Sequence, residues 1–318
     1  MGEKDILEKS LCNYNDVFSD IVNNLLFGGS ELVKEDSLQD TPVHSTYRGE
    51  GAFRELERDI AKHWMDNSIR ISLMGIENET VAEDDIPLRV IGYDDASYRD
   101  QIRYEMDAHG RRRKIIDKCP VVTLVLYFGY KSHWNKAGTL HEALGEKLLP
   151  ELKPFVSDYK VNIFEIAWLS DEQFKGFKSD FKYVADYFIQ MRRTGKYVGS
   201  AENIRHIREV LGLLGTLTGD NRFRVIPEEN TRIGKEGGIN NMEAWLDVVE
   251  NRGDERRLVD QICKKLRRGM DVEQIAEEVE EDVIRVQLIC NIAEKYAPGY
   301  DTKEVFKEVE KELLAESV

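Results

Sequence analysis

The segment RISLMGIE, residues 70–77, is apolar almost throughout and stops abruptly at carboxylates. A run of that composition reads as a buried strand, one that carries acids to the rim of a sheet. Glu79 follows two positions later, so strand alternation sets Glu77 and Glu79 on one face and Asn78 on the other. The preceding segment ELERDIAKHWM, residues 55–65, pairs with it as a neighbouring strand across a tight turn at Asp66-Asn67-Ser68. That pairing brings Asp59 close to Glu77. Carboxylates gathered within a few ångströms repel one another, and Mg²⁺ or Mn²⁺ is the usual reason to gather them. With 60 acidic residues in the chain, chance neighbours that merely stay solvated are the competing explanation.

A length of 318 residues suits one large domain or two of ordinary size. No apolar run reaches the roughly 20 residues of a membrane helix. The longest, VVTLVLYFGY, is strand-like and interrupted by Gly129. The start MGEKDILEK lacks the apolar stretch of a signal peptide, and Ile6 stands where a myristoylation signal needs Ser or Thr. Cys12, Cys119, Cys263 and Cys290 have no paired spacing, so neither a zinc site nor a disulfide framework is indicated. These features lead to the expectation of a cytoplasmic protein without a membrane segment. A net charge of −15 argues against nonspecific coating of nucleic acid, yet leaves room for an enzyme that touches DNA over a short groove. The basic clusters Arg111-Arg112-Arg113-Lys114, Arg192-Arg193 and Lys264-Lys265 with Arg267-Arg268 read first as solvated faces or loops.

The order of elements is that of an α/β fold, with a mixed central sheet flanked by helices. A helix over VFSDIVNNLLF is capped by the polar residues before it and stopped by Gly28-Gly29. Residues 34–51 read as loop and Pro87 to Arg103 as helix. Residues 107–118 read as an exposed basic loop. PVVTLVLYFG gives the clearest strand signal, and YKVNIFEIAWL reads as another strand. Helices follow from Asp171 to about 220, and 220–240 reads as a linker. In the tail, 241–318, helices break at Gly269-Met270-Asp271, with Asp271 as a cap and Gln274 as its capping-box partner. That arrangement is compatible with a helix-turn-helix. The acids Glu277, Glu278, Glu280, Glu281 and Asp282 instead favour a packing or oligomerisation module.

Several ordered segments together resemble the recombination-promoting nucleases, also described as nuclease-family transposases, within the PD-(D/E)XK superfamily. They are NDVFSDIVNNLLFGG, ERDIAKHW, LMGIENET, PLRVIGYDDASY, PVVTLVLYFG with Trp134 and LHEAL after it, and PFVSDYKVNIFEIAWLSDEQF. The likeness spans roughly residues 13–220, and the tail is similar to helical tails in that family. The resemblance implies a nuclease-like domain over 1–220 and a helical module over 241–318. It also implies a Mg²⁺- or Mn²⁺-dependent endodeoxyribonuclease acting in recombination, mobile-element or anti-phage settings. Asp59 matches the first acid of the motif and Glu77 its Asp/Glu. Glu79 stands where the superfamily usually has Lys and this family commonly has Gln. Asp16 matches an acid of the first helix that approaches the site. Arg89 and Tyr93 match an Arg-x-x-x-Tyr pattern beside it.

On this reading Asp59 and Glu77 hold the metal, with Glu79, Asp16 and the backbone of Ile76 and Thr80 as further candidate ligands. Arg89 grips phosphate as a forked donor. Glu79 is open between a third metal ligand, a protonated partner of Glu77 and the mark of a decayed site. The alternative function is an inactive member of the fold that acts as a protein-interaction module; a transcriptional regulator working through the tail is a third. The tail stripes Leu258, Ile262, Leu266 and Val283, Val286, Cys290 need a surface to bury against, which leads to the expectation of a homodimer.

Overall fold

The computed structural model describes residues 11–41, 44–49, 52–57, 59–66, 69–107, 109–116, 118–224, 233–234 and 238–316. The chain divides into two compact units, 1–200 with 204–226, and 227–318 with 201–203. The N-terminal nonapeptide, Asn67-Ser68 of the expected turn and most of 225–237 lie outside the described residues.

The first unit is mixed α/β. Its five-stranded sheet has the order β1 (Leu38–Asp40), β4 (Ile60–Asp66), β5 (Ile69–Glu79), β8 (Val121–Tyr127), β9 (Asn162–Glu165). β1 and β4 are antiparallel, as are β4 and β5, whereas β5, β8 and β9 run parallel. Pairing of Asp66 with Ile69 closes β4 onto β5 across two residues. Two hairpins lie outside this sheet: β2 (His44–Gly49) with β3 (Ala52–Glu57), and β6 (Ile102–Met106) with β7 (Arg112–Ile116).

β2 and β7 correct the loops expected over 34–51 and 107–118, β1 also falls in the first of them, and β6 replaces the end of the helix expected to run to Arg103. The single strand expected over 55–65 is two strands, β3 and β4, with a bend at Asp59 between them. The strand expected in YKVNIFEIAWL is only Asn162–Glu165, followed by a 3₁₀ turn at Ile166–Trp168.

Alternation assigns the two faces of the sheet. Ile60, Lys62 and Trp64 of β4 share a side with Met74 and Ile76 of β5 and Leu124 of β8. Helix α1 (Asn15–Leu25) covers that side with Val17, Phe18, Ile21 and Val22, all fully buried. Gly28 and Gly29, both at positive φ, turn the chain away after it. Lys62 is 1% exposed on this side; its ammonium stands 5.9 Å from the centroid of Phe18 and pairs with Asp40 of the edge strand. The aliphatic stem fills the core while the charge reaches the rim.

The opposite side carries Ala61, Leu73, Gly75, Glu77 and Glu79 with Val121, Thr123 and Val125. Helix α2 (Ile86–Asp100) lies over it, with Pro87 in its first turn, where a missing N–H costs nothing. Ile86 and Val90 meet Val125 and Val161 in one apolar cluster. After β8, Tyr127 folds back so closely that a side chain at Gly129 would collide with it, 2.0 Å from its hydroxyl. Short helices α3 (Leu140–Leu144) and α4 (Asp171–Gly176) lead to α5 (Phe181–Thr194), α6 (Ile207–Thr218) and α7 (Asn221–Arg224). Ser170 and Gln173 form a full capping box on α4, and Phe128 packs on Phe181 and Phe188 of α5.

The second unit is helical: α8 (Met242–Leu266), α9 (Val272–Val279), α10 (Val283–Glu294) and α11 (Thr302–Glu316). Asp271 caps α9 by accepting from the Gln274 backbone N–H at 2.9 Å. Leu258, Val259, Ile262 and Cys263 of α8 pack with Ile275, Val286, Ile289, Cys290, Val305, Phe306 and Val309 in one core. The stripes Leu258–Ile262 and Val286–Cys290 are therefore buried within the unit itself, with Leu266 packed at its edge. Val283 and Ile284, 46% and 80% exposed, remain outside it. Glu277 and Glu278 belong to α9, and Glu280, Glu281 and Asp282 to the turn after it. No described helix is long and apolar enough to cross a membrane. Ile262→Ala should cost the helical unit about 2–4 kcal/mol through the cavity it leaves. Denaturant unfolding followed by circular dichroism is the measurement, and an unchanged midpoint would show that this core is not formed.

Candidate active site at the β4–β5 rim

Of the residues singled out above, Asp59, Glu77, Glu79, Arg89 and Tyr93 meet on the side of the sheet covered by α2. Glu77 is 4% exposed and Glu79 is partly buried beside it, two residues on along the same strand. Arg89, one turn into α2, reaches down onto both. Its Nη2 pairs with Glu77 Oε1 and its Nη1 donates to Glu79 Oε1 at 2.8 Å. One turn further, the Tyr93 hydroxyl donates to the same Glu77 Oε1 at 3.1 Å. The spacing of four keeps Arg89 and Tyr93 on one helical face, so a single carboxylate oxygen receives both. Glu83, exposed in the loop after β5, adds a longer contact to Arg89 Nη1 at 3.7 Å.

Asp59 sits at the bend before β4, where Ile60 pairs with Ile76. Its Oδ2 accepts the Asn78 backbone N–H at 2.8 Å, which anchors the carboxylate to the strand that carries Glu77 and Glu79. The electrostatics register the proximity. Burial, and then the negative charge of Asp59, push the Glu77 carboxyl up to about 7 against the opposing pull of Arg89. Glu79 is also raised, by burial first and by Glu83 and Asp59 after, with Arg89 acting the other way. The Cys12 thiol is pushed up to about 12 by complete burial and by Asp59, so it stays neutral next to the acid.

The chemistry of these donors suits a hard divalent cation. Asp59 and Glu77 supply carboxylate oxygens, and Glu77 Oε2 is buried without a hydrogen-bond partner. The fit rests on that pair, because among the described residues no group of three or more His, Cys, Asp or Glu side chains is arranged to hold a metal. Glu79 is turned to Arg89. Asp16 has other partners, Arg205 Nη1 at 3.1 Å and His206 Nε2 at 3.5 Å. Arg89 occupies two carboxylates at once instead of standing free for an anion.

Asp94 is a residue that the sequence alone does not reveal. It is 2% exposed, accepts from Thr123 Oγ1 of β8 at 2.7 Å and receives the Tyr159 hydroxyl on its other oxygen. This buried bolt fixes α2 to the sheet and thereby sets where Arg89 and Tyr93 point. Its sequence signal is an acid next to Tyr93 and four positions from Val90, which is buried on the same helix face. Two histidines of the same unit have partners of their own: His133 pairs with Glu165 at 2.7 Å while stacked on Trp168, and His141 with the Val156 carbonyl at 2.7 Å. Comparison with family models, with curated proteins and with solved structures returned no match.

The raised Glu77 has a consequence for stability. An acid with an ordinary value of 4.5 in the unfolded chain and about 7 in the fold binds its proton more tightly when folded. The stability it contributes is present below 4.5 and is lost as pH rises through 7. Relative to Glu77→Gln, the wild type should lose about 3 kcal/mol across that window. Urea midpoints of the two proteins at several pH values test this; a constant difference would mean that Glu77 is not buried as an acid.

Proposed function

We propose that the α/β unit is a divalent-metal-dependent DNA endonuclease of the PD-(D/E)XK kind, related to the recombination-promoting nucleases. The observation that carries this reading is the approach of Asp59 to Glu77 at the β4–β5 rim, with Glu77 Oε2 buried and unpartnered. Acids are desolvated next to one another at a cost, and a site for a cation is the physical return on it. Asp59 and Glu77 would hold Mg²⁺ or Mn²⁺. Such an ion supplies positive charge at a scissile phosphate and acidifies an attacking water.

The protein's own residues do the rest. Tyr93 donates to Glu77 Oε1 and keeps that carboxylate oriented. Arg89 has a guanidinium whose geometry matches a phosphate as well as it matches two carboxylates. Exchange of its partners from Glu77 and Glu79 to a nonbridging phosphate oxygen turns a resting ion pair into a substrate clamp. Glu79 then acts as the counterion that parks Arg89 over the site, a role different from a third metal ligand.

A second reading, an inactive member of the fold that serves as a protein-interaction module, is favoured by one feature. Arg89 already pairs with both Glu77 and Glu79, so their negative charge is partly offset without a metal.

Supercoiled plasmid incubated with the protein and Mg²⁺ or Mn²⁺ separates the two. Nicking is expected, with at least a hundredfold loss in Asp59→Ala and in Glu77→Ala, the order of effect for removing a group that stabilises transition-state charge. Absence of metal-dependent nicking in the wild type would establish the inactive reading.

Glu79→Gln gives a separate check. It frees Arg89 without removing a ligand of the Asp59–Glu77 pair, so turnover should rise while the Mn²⁺ concentration giving half-maximal rate stays constant. A fall in turnover together with weaker Mn²⁺ dependence would instead make Glu79 a ligand.

A further inference from the structure

The hairpin β6–β7 is not used by the site as described, yet it is built onto the same helix. α2 ends at Asp100 and β6 begins at Ile102. Between them Gln101, 5% exposed, clamps the base of the ribbon: its Nε2 donates to the Cys119 carbonyl at 3.1 Å and its Oε1 accepts the Cys119 N–H at 2.8 Å. The far end is closed as firmly. Asp107 Oδ1 accepts the backbone N–H groups of His109 and Arg111, and Gly110 takes a positive φ. Five residues in each strand give a rigid two-stranded ribbon roughly 17 Å long.

Its composition is the reverse of the chain as a whole. Residues 102–116 hold five basic residues against two acidic ones, in a protein of net charge −15. Cross-strand pairing puts Ile102, Tyr104 and Met106 on one face with Ile116, Lys114 and Arg112. None of these side chains is buried; Tyr104 is 53% and Met106 68% exposed. The Arg112 guanidinium lies 3.9 Å from the centroid of the Tyr104 ring, an arrangement that holds the charge extended over the face. An exposed surface that combines apolar side chains with fixed cations is unusual for a face meant only for water. Phosphates would meet Arg112 and Lys114 while Tyr104 and Met106 lie against sugars or base edges. The major groove of B-DNA is wide enough for a two-stranded ribbon.

We propose that the β6–β7 ribbon is a double-stranded DNA-binding element that delivers duplex to the rim where Arg89, Glu77 and Asp59 stand. The delivery part of this inference rests on the nuclease reading; the binding part does not. The ribbon follows directly from the far end of the helix that carries Arg89 and Tyr93, so a duplex held on it is linked to the site through that helix. Charge and shape together decide the occupant: regularly spaced phosphates suit Arg112 and Lys114, and a groove of the ribbon's width suits Tyr104 and Met106. A second copy of this chain, whose acids would also attract the ribbon, is the competing occupant that the mass measurement tests.

The test uses the full-length protein and a fluorescein-labelled DNA duplex of mixed sequence in EDTA, with anisotropy read from about 50 to 200 mM salt. Arg112→Glu combined with Lys114→Glu should weaken binding about tenfold or more and reduce the slope of log affinity on log salt by roughly 2. Tyr104→Ala should weaken binding several-fold with little change in slope. All three positions are exposed, so circular dichroism is expected to be unchanged. Unaltered affinity and slope in the double variant overturn the proposal, as does failure of the wild type to bind duplex. A changed oligomeric mass by light scattering with unchanged affinity also overturns it, and assigns the face to contact between copies. The plasmid assay keeps the two readings apart. Weakened binding in the double variant without metal-dependent nicking by the wild type supports the ribbon and removes the nuclease. Nicking that depends on Glu77 together with a double variant of normal affinity does the reverse.

Discussion

Burial of the Glu77 carboxylate sets the terms for everything around it. A charge taken out of water at the middle of a sheet rim must be met by donors or by protonation. Here Arg89 and Tyr93 meet it from above, and the residual cost appears as a carboxyl that titrates near neutrality. Because both donors come from one helix, that helix cannot slide by even one turn without stranding the acid. Asp94, locked between Thr123 and Tyr159, holds α2 in place from its other contact line. The position of Arg89 is thus fixed twice, once by the charge it serves and once by the helix that carries it.

The two sides of the sheet divide the labour. The side under α1 is a conventional apolar core, and the buried Lys62 within it sends its ammonium out to Asp40 at the edge. The side under α2 is apolar beneath Ile86 and Val90 and polar beneath Arg89 and Tyr93. A single amphipathic helix therefore both seals the core and staffs the rim. β5 links the two, since its odd positions supply Glu77 and Glu79 while its even positions, Met74 and Ile76, are buried on the other side.

Glu79 shows how a motif position acquires a meaning that its residue type does not state. Read alone, an acid in place of Lys or Gln suggests either an added ligand or a lost function. In the fold its near oxygen faces Arg89 at 2.8 Å, which makes it a counterion. The tail gives a parallel case. Its apolar stripes called for a covering surface, and the four helices supply that surface to one another, with Val283 and Ile284 left outside.

What the sequence by itself determined was whatever depends on period and on caps. β4, β5 and β8 were legible because burial on one or both faces writes itself as apolar runs, and α1, α2 and α9 because Gly28-Gly29, Pro87 and Asp271 punctuate them. Asp59 next to Glu77 followed from the pairing of those strands and from nothing more distant. β2 and β7 were read as loops because their segments are polar or basic, whereas β6, in which Ile102, Tyr104 and Met106 alternate with charged residues, lay between the helix read to Arg103 and the loop read from 107. Only the tertiary structure could decide that Arg89 closes on Glu77 and Glu79, that Asp94 is buried and that Asp16 turns to Arg205 and His206. Each of these depends on which charge is desolvated beside which, and that is fixed by packing between segments far apart in the chain, not by any local pattern within one of them.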